Sequence, residues 1–453
     1  MVLRMEQRGG LLRRVRGFIT SPWGLLAQFC IAALVVVFNA LVAGLFIFAA
    51  LLLAILVVCD DILATMAPFV LTTLFLIKSS GNGAYARFSR YWWLIFFAAA
   101  AVGYHLWAYQ RKKKLTRGSA AWALAGTAAA CTLGGLGFIS AKEYFAGVSI
   151  YHMGALGIGM LVAYLFLTMA VKEDETGQLP VFVSNVMVMI GLFAAFMVFH
   201  FYLVHLPQVL ERRQMLTFQW RNNVSTYLML ALPFPFYKAL RRPAFLPAAL
   251  LMYLAVMLTG SRGGMLFGTV ELAMCILFVL LADKKRRLFY LLLAGALAAL
   301  VVLLLPLMFA FLRPVLLRIV ESVLSGEQEV RAGLYRRAVE DFLARPIFGT
   351  GLGYMGNRDI HPSKEFALCW YHCAPLQIIG SMGIVGVLAY GYSYYARAKI
   401  FLRQRTNFHL TMLLSWVGLE MMSLVNPGSF APLPYLLLAT MYLVFAEKTT
   451  KEK

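Results

Sequence analysis

Charge is scarce in this chain of 453 residues: only 13% are Asp, Glu, Lys or Arg, while 61% are hydrophobic and mean hydropathy is +0.77. A soluble domain of this length carries roughly a quarter charged residues, so a water-solvated globule is excluded. Acidic residues are scarcer still, at 20 against 41 Lys and Arg, for a net charge of +21. Nucleic acid would be the partner of such a soluble protein, but no DNA- or RNA-binding signature accompanies the charge. Cysteine is sparse: Cys30, Cys59, Cys131, Cys275, Cys369 and Cys373 form no disulfide framework. Internal repeats and low-complexity tracts are missing too. No cleavable signal peptide is expected, because the basic N-terminus leads into a span that continues into another.

What is present is a succession of apolar runs about 17 to 25 residues long, the length of membrane-crossing helices rather than of barrel strands. Lipid admits only helices or closed barrels, so the expected fold is all-α and polytopic: one integral membrane domain over 1–453 with about 12–14 transmembrane helices. The expected spans are 22–40, 41–58, 62–78, 91–109, 119–139, 147–171, 180–204, 222–239, 244–260, 264–282, 288–312, 373–396, 407–425 and 431–446. The first two share one apolar run, split near Asn39.

With the N-terminus inside, the loops RKKKLTR (111–117), KALRRP (238–243), DKKRR (283–287) and ARAKIFLRQR (396–405) fall on the cytoplasmic side, as the positive-inside rule requires. Two basic segments remain outside, where orientation does not call for them. One is 205–221, with Arg212, Arg213 and Arg221 followed by Asn222 and Asn223. The other is 313–371, the only large soluble portion. It is expected to form an amphipathic helix over 315–324 and a second one opening near Ser325 and stopping near Ala344, since Arg345 precedes Pro346.

Chemistry-bearing residues gather at this outer face. Arg262 follows Ser261, a good helix N-cap, at the outer start of a span; free N–H groups there attract anions and a guanidinium adds a planar bidentate donor. Arg331 lies on the second outer helix, with Tyr335 one turn on and Arg336 beyond it. Arg336 with Glu340, and Arg337 with Asp341, stand at i,i+4 spacing suited to ion pairs. His372 opens the next span beside Trp370 and Tyr371, and histidine is the usual general base near neutral pH. Arg212, Arg221 and Asn223 form a second basic, amide-bearing rim suited to substrate binding. Cations and an imidazole at one membrane surface fit a phosphorylated, lipid-linked substrate. Cys369, His372 and Cys373 fall one ligand short of a zinc site, and no metal or other cofactor is expected. GLGYMG at 351–356 has the glycine spacing of a dinucleotide loop without a preceding strand, and reads instead as a turn where backbone approaches another element. Glu271 and Glu420, both within spans, are expected to pair with nearby polar groups.

These segments resemble the O-antigen ligase and Wzy-type O-antigen polymerase superfamily. His372-Cys373, nine residues, then Gly383-Ile-Val-Gly386 is similar to its H-[NSQ]-x9-G-x-x-G motif. SRGG at 261–264, the RAGLYRRAVEDFLARPIFGTGLG segment at 331–353 and the Asn-rich span start at 218–233 match others in order. Cys373 departs from the pattern, standing where Asn, Ser or Gln is usual. The resemblance implies a metal-independent inverting glycosyltransferase with a family-C-like bundle in a bacterial inner membrane, its active site on the periplasmic face. The donor would be a glycan on undecaprenyl pyrophosphate and the acceptor a lipid or glycan hydroxyl. Arg262 and Arg331 would hold the pyrophosphate, and His372 would receive the acceptor proton. A ligase is favoured over a polymerase. A transporter or flippase for an anionic lipid or solute is the rival, but it would call for ionisable residues at span midpoints and pseudo-repeated halves.

Overall fold

The computed structural model describes residues 14–15, 17–78, 90–111, 117–135, 153–174, 177–212, 216, 220–293, 295–296, 299, 327–352, 371–426 and 433–449. Over these the chain is helical, with no named strand. In chain order the helices are α1 (Pro22–Val37), α2 (Leu41–Val58), α3 (Met66–Lys78), α4 (Leu94–His105), α5 (Ala121–Gly135), α6 (Met160–Ala170), α7 (Gln178–Val204), α8 (Arg221–Ala231), α9 (Pro233–Ala239), α10 (Leu246–Leu258), α11 (Arg262–Ala282), α12 (Glu327–Ala344), α13 (Ala374–Gln404), α14 (Asn407–Ser423) and α15 (Leu433–Lys448). By length and composition α2, α7, α11 and α13 can each cross a membrane, and the chain also has shorter apolar helices. The protein is an all-α polytopic membrane protein.

The split near Asn39 is real and local in origin. Asn39 takes a left-handed conformation (φ 51) just past α1, with Ala40 N–H bonded to Val35 O at 2.9 Å and Asn39 N–H to Val36 O at 3.2 Å. This pair of bonds closes a helix end, and asparagine tolerates the left-handed residue it needs.

The chain divides into two compact units. The first comprises 1–114, 169–312 and 448–452. Its centre is α7, a 27-residue apolar helix with Val183, Val186, Ile190, Phe193, Ala194 and Val198 buried. Phe193 meets Phe29 of α1 and Phe75 of α3 edge to face, at 5.9 and 6.0 Å between ring centroids. Aromatic pairs in this geometry add to area burial by about 0.5–1.5 kcal/mol each. At the periphery, α2 has a mean hydropathy of 3.2 yet only 28% of it is buried. Apolar side chains facing outward on such a helix need lipid around them.

The second unit comprises 115–168 and 313–447. It packs α5 against α13 through Ala130, Cys131, Ile378, Met382 and Tyr390, with Leu156, Met160 and Leu436 completing the core. Here the sequence expectation is corrected. The span expected over 373–396 runs on as helix through Gln404, so the basic segment 396–405 is mostly the last turns of α13. Ala396, Ile400 and Phe401 are buried and Arg397 lies 3.9 Å from Glu420, which gives those turns a packed face. The helix is also broken at Gly383 (φ 61, ψ −153).

Two expectations about charged groups differ from what is seen. Glu420 does pair, accepting from Tyr394 Oη at 3.1 Å and Trp416 Nε1 at 2.9 Å. Glu271 is fully buried on α11, and neither carboxylate oxygen has a partner among the described residues. Arg337, rather than Arg336, approaches Glu340, at 3.9 Å. The amphipathic helix expected over 315–324 lies outside the described residues, as does most of the span expected over 288–312.

Candidate active site

In the first unit two helix starts are held together. Ser261 is extended and caps α11, its hydroxyl oxygen accepting from Gly264 N–H at 3.1 Å while donating to Asn222 Oδ1 at 2.7 Å. Thr259 Oγ1 accepts from Ser261 N–H at 3.2 Å and lies 2.8 Å from Ser225 Oγ. A Cβ on Gly264 would stand 2.7 Å from Ser225 Oγ, so glycine there lets the start of α11 close on the first turn of α8. Arg262 and Arg221 are the first residues of these adjacent helices, and each is partly exposed with Asn223 beside them. Trp220, before α8, provides no side-chain cap. Two helix N-termini thus meet at one end of the unit, with Arg221, Asn223 and Arg262 in their first turns. Helix starts present uncompensated N–H groups and about half a positive charge each, an arrangement made for an anion. Arg212 ends a short helix (Leu206–Arg212), and its side chain lies outside the described residues.

The second unit carries the histidine. Helix α12 stops at Ala344 as expected, and Arg331 sits in its second turn with a side chain outside the described residues. Tyr335 is half-buried and Arg336 exposed. Arg337 pairs with Asp341 at 3.1 Å, matching the spacing argument. Asp341 is buried and accepts a 2.5 Å bond from Tyr371 Oη. Burial pushes its carboxyl above the ordinary aspartate range, against the opposing pull of the Tyr371 hydroxyl and Arg337. Tyr371 is itself fully buried, against Ala338, and its N–H donates to Gln377 Oε1 at 3.0 Å. Gln377 Nε2 goes on to Ser381 Oγ at 2.8 Å. His372 follows this clamped tyrosine with φ 54, an uncommon conformation for a residue with a side chain, and stays partly exposed. Such backbone persists only where the surroundings impose it, and it concentrates at functional sites. Cys373 is the N-cap residue of α13 and makes no side-chain cap bond there.

The glycine motifs serve a different purpose. The break at Gly383 strips Gly380 O and Ser381 O of their helical donors, and Ile384 N–H and Val385 N–H of their helical acceptors. The turn after α12 supplies all four. Thr350 N–H bonds to Gly380 O and Gly351 N–H to Ser381 O, both at 2.9 Å. Ile384 N–H bonds to Pro346 O at 2.8 Å and Val385 N–H to Ile347 O at 3.2 Å. A turn spliced into a helix in this way needs glycine on both sides. A Cβ on Gly349 (φ 70) would fall 2.3 Å from Ser381 C, and one on Gly383 would fall 2.5 Å from Pro346 O. Gly351 (φ 97) therefore does mark a backbone approach, as read from the sequence, while Gly353 and Gly356 lie outside the described residues. The splice fixes α12, which bears Arg331, against the helix that His372 opens.

Sequence reasoning missed the Asp341–Tyr371 bond and the Ser261–Asn222 bond. A signal for the first was available: Asp341 lies in register with Leu334 and Ala338 on the buried face of α12, where a carboxylate needs a partner beyond its own helix.

Comparison with known proteins gives one family match. Residues 247–391 match the O-antigen ligase family model, a stretch containing Arg262, Arg331, His372 and both glycine motifs but not Arg212, Arg221 or Asn223. No curated protein matches the chain. Residues 247–391, about a third of the chain, are thus similar to the O-antigen ligase family.

Proposed function

We propose that this membrane protein transfers a glycan from undecaprenyl pyrophosphate to a sugar hydroxyl on a lipid or glycan acceptor, as a ligase for O-antigen or a related surface polysaccharide. The observation that carries the reading is the O-antigen ligase match over 247–391. The anion-suited pair of helix starts at Arg221 and Arg262, and the strained, clamped His372, support it. In this reading the acceptor oxygen bonds to the anomeric carbon on the face opposite the leaving group. As that bond forms, the anomeric C–O bond to the diphosphate breaks with its electron pair passing to the diphosphate, and the acceptor proton passes to His372. Arg262 and Arg331 stabilise the charge that develops on the departing diphosphate, with Arg221, Asn223, Arg212, Tyr335 and Arg336 lining the approach of donor and acceptor. Removing one positioned donor to such developing charge costs about 10²–10³ in rate. The chemistry takes place at the periplasmic face of the inner membrane.

Extension of the glycan on its carrier by a Wzy-type polymerase uses the same groups with a different acceptor. The glycan profile of a deletion strain separates the two. Long polymer left on carrier lipid is the outcome for a ligase, and single repeat units are the outcome for a polymerase. A flippase would instead leave its lipid-linked substrate on the cytoplasmic side, which contradicts the enzymatic reading.

A further inference from the structure

The first unit holds a cavity of about 720 Å³ away from the helix starts just described. Helices α8 and α9 run on through Leu232, itself helical (φ −55, ψ −38), so Lys238 stands about 26 Å along the axis from Arg221. The cavity lies at that far end. Its walls are apolar: Leu25 and Phe29 from α1, Val181, Val188 and Leu192 from α7, and Phe245. Val181 and Leu192 are separated by about 16 Å of helix rise, close to half of the ~30 Å hydrocarbon core. The groove thus has the depth of one leaflet, and its volume has room for an acyl chain.

Its polar end is basic. Lys238, Arg241 and Arg242 line it. The Lys238 ammonium donates to Asn185 Oδ1 and lies 4.2 Å from the Phe245 ring centroid, which fixes its position. Arg241 and Arg242 are exposed, and no carboxylate bridges either among the described residues. We propose that this groove binds one anionic glycerophospholipid, an acyl chain lying along α7 and the headgroup phosphate held by Lys238, Arg241 and Arg242. Apolar walls reject water, so an acyl chain is the natural filling in a lipid-solvated bundle. Three cations at the mouth suit a headgroup with net negative charge over a zwitterionic one, whose own cation would be brought beside them. The site stands apart from the glycan chemistry and does not depend on it.

The test uses the full chain, reconstituted in nanodiscs of equal phosphatidylcholine and phosphatidylglycerol, released, and examined by native mass spectrometry. The expected result is retained phosphatidylglycerol in preference to phosphatidylcholine. Replacing both exposed arginines (Arg241→Gln with Arg242→Gln) should lower that retention about tenfold or more, with the thermal melt unchanged. Leu192→Trp, which narrows the inner end and spares the cations, should lower it as well. Equal retention of the two lipids, or unaltered retention in the double variant, overturns the proposal. Displacement of phosphatidylglycerol by an equal amount of a polyprenyl phosphate overturns the choice of occupant.

Discussion

Asp341 and Tyr371 carry the connection between the outer helix and the histidine. The 2.5 Å bond joins residues thirty positions apart, so losing the tyrosine hydroxyl takes a hydrogen-bond donor from a buried carboxyl. Tyr371→Phe should destabilise the protein by about 1–3 kcal/mol and slow transfer. The pH dependence has a definite sign. The folded-state pKa of Asp341 is raised by burial above its ordinary 3.8. Its contribution therefore favours the folded state below 3.8 and is lost as pH climbs through the raised value. Asp341→Asn should flatten the dependence of the melting temperature on pH just above the ordinary aspartate range. A slope identical in wild type and variant contradicts this assignment.

Residues that act locally were legible in the sequence, and residues that act at a distance were not. Ser261 as the cap of α11 and Ala344 as the end of α12 follow from side-chain and proline chemistry within a turn. The i,i+4 geometry gave Arg337–Asp341 but could not choose among partners within one turn, so Glu340 went to the wrong arginine. The Tyr371 hydroxyl and the Asn222 amide reach their partners only through tertiary packing.

At the level of elements, the broken α13 and the turn after α12 form one device. An interrupted helix exposes two carbonyls and two N–H groups, and burying them unpaired would cost about 1–3 kcal/mol each. The Pro346–Gly351 turn pairs all four. Gly349→Ala and Gly383→Ala should each destabilise the protein by about 2 kcal/mol or more, because positive φ and a backbone clash act together. Gly391→Ala, on the same helix with nothing within 4 Å of the added Cβ, should be neutral or slightly stabilising. A melt that ranks these three variants otherwise contradicts the splice. Period and span length could place α13 in the sequence, but not its break. A left-handed glycine inside an apolar run becomes visible only when the segment that repairs the helix is seen beside it.

At the scale of the molecule, the apolar runs and the distribution of Lys and Arg were enough to give an all-α membrane protein, because lipid leaves few alternatives. The family likeness was legible through order: Arg262, Arg331 and His372 succeed one another inside a stretch that matches the O-antigen ligase family. The acceptor was not, since no segment of the sequence marks it. If two guanidinium groups take the place a metal would have beside the diphosphate, as proposed, transfer in washed membranes should withstand chelators. Loss of transfer on chelation, restored by a divalent ion, contradicts that role for the arginines.

The most direct test is glycan transfer by His372→Ala in a strain lacking the wild-type copy, with membrane insertion and melting temperature measured alongside, and Arg331→Ala in parallel. The account predicts a folded, inserted protein with no ligated product in either case. Wild-type amounts of ligated product from the His372→Ala protein would contradict it.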